Sequence, residues 1–583
     1  MINPAVETSD YIVSPLAKVM KHLHYCTLTL CLLLAGCSAA KYRAAADREG
    51  SGIIAESERQ VFGRASRFLV DTAYSNRDPE EISVEEIRFE RSPKSDRRRK
   101  LTLRDALGIA IANNHAYQLQ REQLYLSALA LTGTRHQFAF RFTKSSADLG
   151  IGRSKDGGLK GDSDLDLTLS KVLKTGGQFS TTLANDLVLY FDGKPKVPSI
   201  TLTLTQPLLR GAGAAMAAEV LTQAERNVAY AIRDYSHYQK TFAIDTVTEY
   251  FRLLQSKDSV RNSYQNYIDL QKARDRAEAL AEAERLPRNQ VDQARQKELS
   301  ARVSYLGAVE SYRQNLDSFK QHLGLPLGES LQLVDAELED LKRMGLPPLA
   351  SVRSFTADDV YKLAVSRRLD VLNTIDKFED TKRKVAVAAN ALQPSLSIVT
   401  DASLADQFYG SFKPGQFTAN AGLKLDLPLD QLTSRNAYRE SLINFEKQLR
   451  TLASTLDELR EDIREGVRAL EQERENYEIQ RNALKLAEQR VAVTPLLLEA
   501  DEADIRDQLE AQADLVSAQN AVTRALVNYH VARWTLLKNL GAMNVESEQF
   551  WLEKQDLPGA RANVVVPDGG LPNVDPPDKV FGN

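Results

Sequence analysis

"DQLEAQADLVSAQNAVTRALVNYHVARWTLLKNLG", residues 507–541, decides the fold. Ala511, Ala518 and Ala525 recur every seventh residue, and Tyr529, Leu540 and Gly541 follow. The same set recurs upstream as Ala294, Ala301, Ala308, Tyr312, Leu323 and Gly324. A seven-residue repeat keeps one helix face on a neighbour, and alanine there lets helices approach closely. A glycine after the last periodic residue is a helix C-cap. The two stretches therefore predict two equivalent helices, each packed closely on another.

Working outward, the duplication covers most of the chain. "LTLRDALGIAIANNHAYQL" (101–119) matches "FTADDVYKLAVSRRLDVLN" (355–373), and "LTQPLL" (204–209) matches "LDLPLD" (425–430). Thr102 and Thr356, each three residues before an Asp, predict helix N-caps. Three features in one order, twice, make two copies of one unit. Each unit reads as helix (102–134; 356–391), strands, long helix (214–285; 434–496) and shorter helix. The long helices would span roughly 95–105 Å and the short ones about 50–60 Å. Two short helices end to end therefore match one long one, which suits a rod or tunnel wall. The first repeat occupies 101–330, with strands at about 135–206 and a helical hairpin at about 214–324. A linker, 331–355, leads to the second repeat at 356–543, with strands at about 394–428 and a hairpin at about 434–541.

The strand signal is alternation. Phe138, Phe140 and Phe142 alternate with small or polar residues, Ile200, Leu202 and Leu204 with threonines, and Leu423, Leu425 and Leu427 with Lys424 and Asp426. Pro207 and Pro428 end strands and lead into helices. Gly211 and Gly213 supply a flexible strand-to-helix turn.

These stretches together resemble the TolC family of outer-membrane efflux proteins, over about 101–326 and 356–543. The resemblance implies a fold that is mainly α with membrane β. Three protomers each give four strands to one twelve-stranded outer-membrane barrel, continued by a periplasmic α-helical barrel. It also implies a homotrimer that meets a periplasmic adaptor and an inner-membrane pump and passes substrates outward. Physics agrees: only helices and closed barrels satisfy backbone groups in lipid. No apolar run after the N-terminus is long enough for a spanning helix, and four strands from one chain cannot close a wide barrel. One departure stands out. Thr102 to Pro207 is 105 residues but Thr356 to Pro428 is 72, so the first unit carries about 33 extra. Much of the excess is "DLDLTLSKVLKTGGQFSTTLANDLVLYF" (164–191), which reads as another hairpin around Gly176-Gly177, either extending the strands or forming an external loop.

At the N-terminus, "TLCLLLAGCSAAKY" (29–42) ends a short apolar run, with Lys21 as its positive flank. The run is too short to span a bilayer and suits a signal peptide, 1–36, with Met20 as an alternative start. Leu-Ala-Gly-Cys resembles the lipobox of bacterial lipoproteins. It implies a lipidated Cys37 as the mature N-terminus, heading a lipid-anchored segment, 37–100, in contact with outer-membrane lipid. Cys26 and Cys31 fall within the signal, so no disulfide is available to the mature chain.

The hairpin tips, 281–293 and 497–510, should face the inner-membrane partner. In the family, acids three residues apart at this point line the narrow periplasmic entrance. Asp507 and Glu510 keep that spacing and share a helix face. Threefold symmetry would make each a ring that favours cations. A solvated acidic helix start near the positive end of the dipole explains them equally well.

Other signals are discounted. The balance of 75 basic and 79 acidic residues gives no nucleic-acid footprint. "GAGAAM" (211–216) lacks the third glycine and the βαβ setting of a dinucleotide loop. Seven scattered histidines show no metal spacing, and no cofactor or metal is expected. "RRRK" (97–100) reads as a solvated linker, and 544–583 as a disordered tail. The competing function is a periplasmic coiled-coil lipoprotein adaptor without a channel, which would carry a compact β-domain and would not repeat the whole plan. No catalytic constellation supports an enzyme.

Overall fold

The computed structural model describes residues 39–553, apart from 73, 76, 87–98, 154–158, 191–198, 348–356, 406–416, 501 and 548. The signal peptide, Cys37, Thr356 and the tail from 554 onward lie outside the described residues.

The helical plan is duplicated. The first unit has α2 (Leu103–Asn113), α3 (His115–Gln137), the 64-residue α4 (Glu219–Glu282) and the 35-residue α5 (Arg288–His322). The second has α7 (Ala357–Arg367), α8 (Leu369–Asn390), the 68-residue α9 (Leu432–Glu499) and the 35-residue α10 (Ile505–Asn539). Thr102 caps α2 as expected: its hydroxyl accepts from Asp105 N at 3.1 Å in a reciprocal capping box.

The single helices expected over 102–134 and 356–391 are each broken in two, at Asn114 and Arg368, in the same repeat register. Asn114 ends α2 and caps α3, its side chain accepting from Tyr117 N at 2.9 Å. The glycines explain the location. Gly324 and Gly541, at φ +69° and +65°, do close α5 and α10, and each abuts a break. A Cβ on Gly324 would lie 2.4 Å from Asn113 O, and one on Gly541 2.8 Å from Arg367 C. Asn114 Nδ2 also donates to His322 O at 2.7 Å. So α3 continues the line of α5 alongside α4, and α8 continues α10 alongside α9. The expected matching of two short helices to one long one holds. In cross-section the four hairpin helices run α5–α4–α10–α9.

The expected linker is partly structured. β6 (Leu331–Leu333) pairs in parallel with β1 (Arg99–Leu101), and α6 (Ala336–Met344) comes next. Leu101, Leu103, Leu331, Leu333, Leu338 and Leu341 are all buried in the main core, beside Tyr250, Phe251 and Trp534. The start of the supposed disordered tail is also docked: Phe550 and Trp551 are each 3% exposed. Burying two aromatics outweighs the Pro/Gly bias of the segment they head. In the N-terminal segment, α1 (Ala39–Phe62) packs on α3 and α4 through Ile53 and Ile54.

The sheet departs most from expectation. Among the described residues it has six strands in the order β2 (Arg141–Arg153), β3 (Leu159–Val172), β4 (Gln178–Tyr190), β5 (Ser199–Pro207), β7 (Ser395–Ala405) and β8 (Phe417–Asp426), antiparallel throughout. The resemblance implied four strands per chain, and hence twelve per trimer. The count fails because the extra residues of the first unit are laid into the sheet as β3 and β4. Phe138 and Phe140 precede the first strand; Phe138 is the C-cap of α3, which runs on to Gln137. Pro207 is the last residue of β5, and Pro428 lies two beyond β8.

Candidate functional site

The register of the sheet separates two chemistries. One row runs Lys144–Thr168–Thr182–Thr201–Ser403–Thr418 across all six strands, with Thr168 and Thr182 hydroxyls 3.2 Å apart and those of Ser403 and Thr418 2.6 Å apart. A second row, Arg141–Ser170–Ser180–Thr203–Asp401–Asn420, has the same parity from β3 to β8, and a register shift between Phe142 and Lys144 brings Arg141 into it. The alternate row, Ser145–Leu167–Leu183–Ile200–Leu404–Phe417, is apolar from β3 onward. Side chains alternate faces along a strand, so one face of the sheet is hydroxyl-rich and the other apolar. That division suits lipid outside and water inside. Sequence reading noted the threonines that alternate with Ile200, Leu202 and Leu204 but not their continuation as rows across the sheet, which depends on the pairing register.

All four helix connections lie at one end of the sheet, and the turn between β3 and β4 (173–177) lies there too. It rests on the strand-to-helix elbow: Gly213 N donates to Thr175 O at 3.1 Å, and Gln206 Nε2 to Thr175 O at 3.3 Å. The close approach needs glycine. A Cβ on Gly176, at φ +91°, would lie 2.4 Å from Gly211 O. Gly211 and Gly213 have φ +77° and +90°, and Gly211 N donates to Asn390 Oδ1 at 2.7 Å. Pro207, Gly211 and Gly213 thus form one elbow. Pro428 stands alone at the other.

At the opposite end of the molecule the long helices end at Glu282 and Glu499 and the short ones begin at Arg288 and Ile505. Ile505 and Leu509 of α10 share one buried cluster with Leu270, Ala273 and Ala277 of α4 and Ala294 and Ala301 of α5, which joins the two hairpins near their tips. Helical periodicity then turns Asp507 away from that seam, with Glu510 to one side. Asp507 completes a capping box with Asp504. Glu510 accepts from Arg506 Nε at 2.9 Å and lies 3.9 Å from Arg490, which also pairs with Asp514 at 2.7 Å. The hydrogen bond to Glu510, then the charges of Glu510, Asp507 and Asp504, hold the Arg506 guanidinium above its ordinary pKa. The tip is an acid-rich cluster laced with two arginines, which the sequence reading did not include.

The chain leaves two edges open. The outer edges of the sheet are β2 and β8, and they run in opposite directions. The outer helices, α5 and α9, carry apolar stripes at similar heights above the tips. On α5 these are Leu299, Val303 and Leu306, 53%, 69% and 57% exposed; on α9 they are Ile479, Leu486 and Val493, 48%, 65% and 48% exposed, at seven-residue spacing. Such spacing is a seam for a neighbouring helix. Among the described residues no helix is long and apolar enough to cross a membrane, and no cluster of potential metal ligands occurs.

Residues 360–542, essentially the second repeat, match the family described as Outer membrane efflux protein. No curated protein sequence matches the chain. Several solved structures share its fold. The Campylobacter jejuni CmeC outer membrane channel is 15% identical with a TM-score of 0.54, the match covering 75% of this chain and 85% of that one. The Neisseria gonorrhoeae MtrE outer membrane channel, in its open state, is 14% identical with a TM-score of 0.53, covering 75% and 88%. The outer membrane protein VceC of Vibrio cholerae is 12% identical with a TM-score of 0.53, covering 75% and 96%.

Proposed function

We propose that this chain, which matches the Outer membrane efflux protein family over residues 360–542 and shares the fold of outer-membrane channels over 75% of its length, is a passive export duct. It works as the outer-membrane channel of a tripartite efflux or type I secretion system, meeting a periplasmic adaptor and an inner-membrane pump at its hairpin tips. The observation that carries the reading is the pair of open edges. An antiparallel sheet with an even number of strands closes head to tail without breaking the ladder, because its first and last strands run oppositely. The α5 and α9 stripes close the helical layer in the same direction. A rotation that brings one chain's β8 to the next chain's β2 also brings its α9 to the next α5. Heterologous contacts that close make a ring, and three copies make the trimer. The apolar sheet face then meets lipid and the hydroxyl face lines the lumen.

The lipid on Cys37 adds a second membrane attachment. Asp507 and Glu510 line the periplasmic mouth, where threefold symmetry gathers six carboxylates beside Arg506 and Arg490, and the further charges of Asp504 and Asp514 leave the constriction net acidic and cation-favouring. The test is purification in detergent followed by planar-bilayer recording. The expected result is a trimer that conducts. A monodisperse monomer that is soluble without detergent contradicts the duct.

A further inference from the structure

We infer that three copies of this chain close an eighteen-stranded barrel, so that the outer-membrane lumen is wider than the helical cylinder beneath it and passes bulky, water-soluble cargo. This rests on the duct reading and concerns its outer half.

Three observations place β3 and β4 in the wall rather than outside it. Their pairing is extensive: thirteen residue pairs join β3 to β4, and seven join β4 to β5. The polar rows pass through Thr168, Ser170, Ser180 and Thr182 without a change of phase, so the hairpin obeys the same inside–outside alternation as its neighbours. An external loop has no reason to keep that phase. The turn at its lower end is seated on the elbow through Thr175 and Gly176, where the helices begin, so the hairpin sits at the level of the other strands.

Each protomer therefore brings six strands but only four helices to the ring, and three protomers bring eighteen over twelve. Barrel diameter grows roughly linearly with strand number, so the lumen is about 1.5-fold wider than that of a twelve-stranded barrel, in the range where porins hold an aqueous channel. The lining mixes hydroxyls with charged side chains, Lys144, Asp166 and Asp401 among them, and these polar groups hydrate a passing solute. Cargo size is then limited at the periplasmic mouth and not in the outer membrane.

The experiment uses the full chain in outer membranes and a short thiol–thiol crosslinker. Thr182→Cys with Thr201→Cys joins β4 to β5 and should crosslink within one chain. Lys144→Cys with Thr201→Cys joins β2 to β5, which become neighbours only if the β3–β4 hairpin is outside the wall, and should not crosslink. Efficient crosslinking of that second pair in a trimer that still conducts overturns the eighteen-stranded barrel while leaving the duct intact. Failure to form a trimer overturns the duct itself. As an independent readout, polyethylene glycols of graded size are added to the outer side in bilayer recordings. The exclusion radius should be about 1.5-fold that of a variant lacking residues 159–190; equal radii contradict the inference.

Discussion

The two repeats agree in their helices and disagree in their sheet and in which helix they bury. Their long helices have 64 and 68 residues and their short ones 35 each, but they give four strands and two. Helix lengths are locked together, because two short helices must match one long one across a break at Asn114 or Arg368. Strand number is not locked: a hairpin can enter wherever its turn has a seat, and Gly211 and Gly213 provide one. Burial is crossed over. In the first hairpin the long α4 has nineteen buried residues and the short α5 five; in the second the long α9 has five and the short α10 thirteen. The inner pair is α4 and α10. The outer pair, α5 and α9, carries the exposed apolar stripes that the proposed ring would cover.

Charging the outer stripe should have the largest effect. Ile479→Glu with Leu486→Glu should abolish the trimer on native gels while far-UV circular dichroism stays helical. Each apolar side chain buried at the seam is worth about 1.5–3 kcal/mol, in three copies. An intact trimer would mean that α9 faces water.

Next comes the asymmetry of the elbows. Gly176→Val should reduce the amount of assembled channel in outer membranes several-fold. It forces a β-branched residue to φ +91° and a Cβ to 2.4 Å from a backbone oxygen, at a cost of about 1–3 kcal/mol from strain alone. Pro428→Ala, at the elbow where no hairpin rests, should change assembly little. Equal effects would remove the distinction.

The crossed burial has a pH signature. His530 on α10 is fully buried, whereas Arg313, its counterpart on α5, has a side chain 71% exposed. Burial first, then the charge of Arg533, pushes His530 down to about 3, against a bond to Gly345 O that pulls upward. The folded state thus keeps His530 neutral where the unfolded chain, at about 6.5, protonates it. The unfolded state binds the extra proton between those values, so stability falls as pH drops from about 6.5 toward 3, by up to about 1.4 kcal/mol per pH unit. Denaturant titrations should show that slope, and His530→Gln should flatten it. An unchanged slope would place the acid sensitivity elsewhere.

The smallest effect is expected at the mouth. Asp507→Ala with Glu510→Ala should reduce cation preference and divalent block by about 1 kcal/mol, roughly fivefold, with trimer formation unchanged. Because Arg506 and Arg490 already face Glu510, Arg490→Ala should move selectivity in the opposite direction. Unchanged selectivity in both variants would make these acids a helix cap and nothing more.

How far the sequence could be read depends on where each signal lies. The hairpin helices were legible because alanine spacing and capping glycines are local. The break at Asn114 was also written locally, as an Asn at the head of a second helix, but the continuous apolar pattern hid it. Three alternating phenylalanines are too few to separate a strand from a helix end, and Phe138 proved to be the latter. Phe550 and Trp551 were an apolar pair in a segment judged by its prolines and glycines. Whether the extra hairpin enters the sheet depends on contacts between Thr175 and Gly213 and between Gly176 and Gly211. Those lie more than thirty residues apart and leave no periodic trace. The arginines around Glu510 illustrate the same limit, since Arg490 belongs to the other helix of its hairpin.

The head-to-tail ring can be tested with one pair of cysteines. Val303 on α5 and Leu486 on α9 lie on opposite outer edges of the protomer, so a short crosslinker can join Val303→Cys to Leu486→Cys only between chains. In intact outer membranes the ladder on a denaturing gel should rise through dimer and stop at trimer. No crosslink, or a ladder that continues past three copies, would contradict the closed trimeric duct.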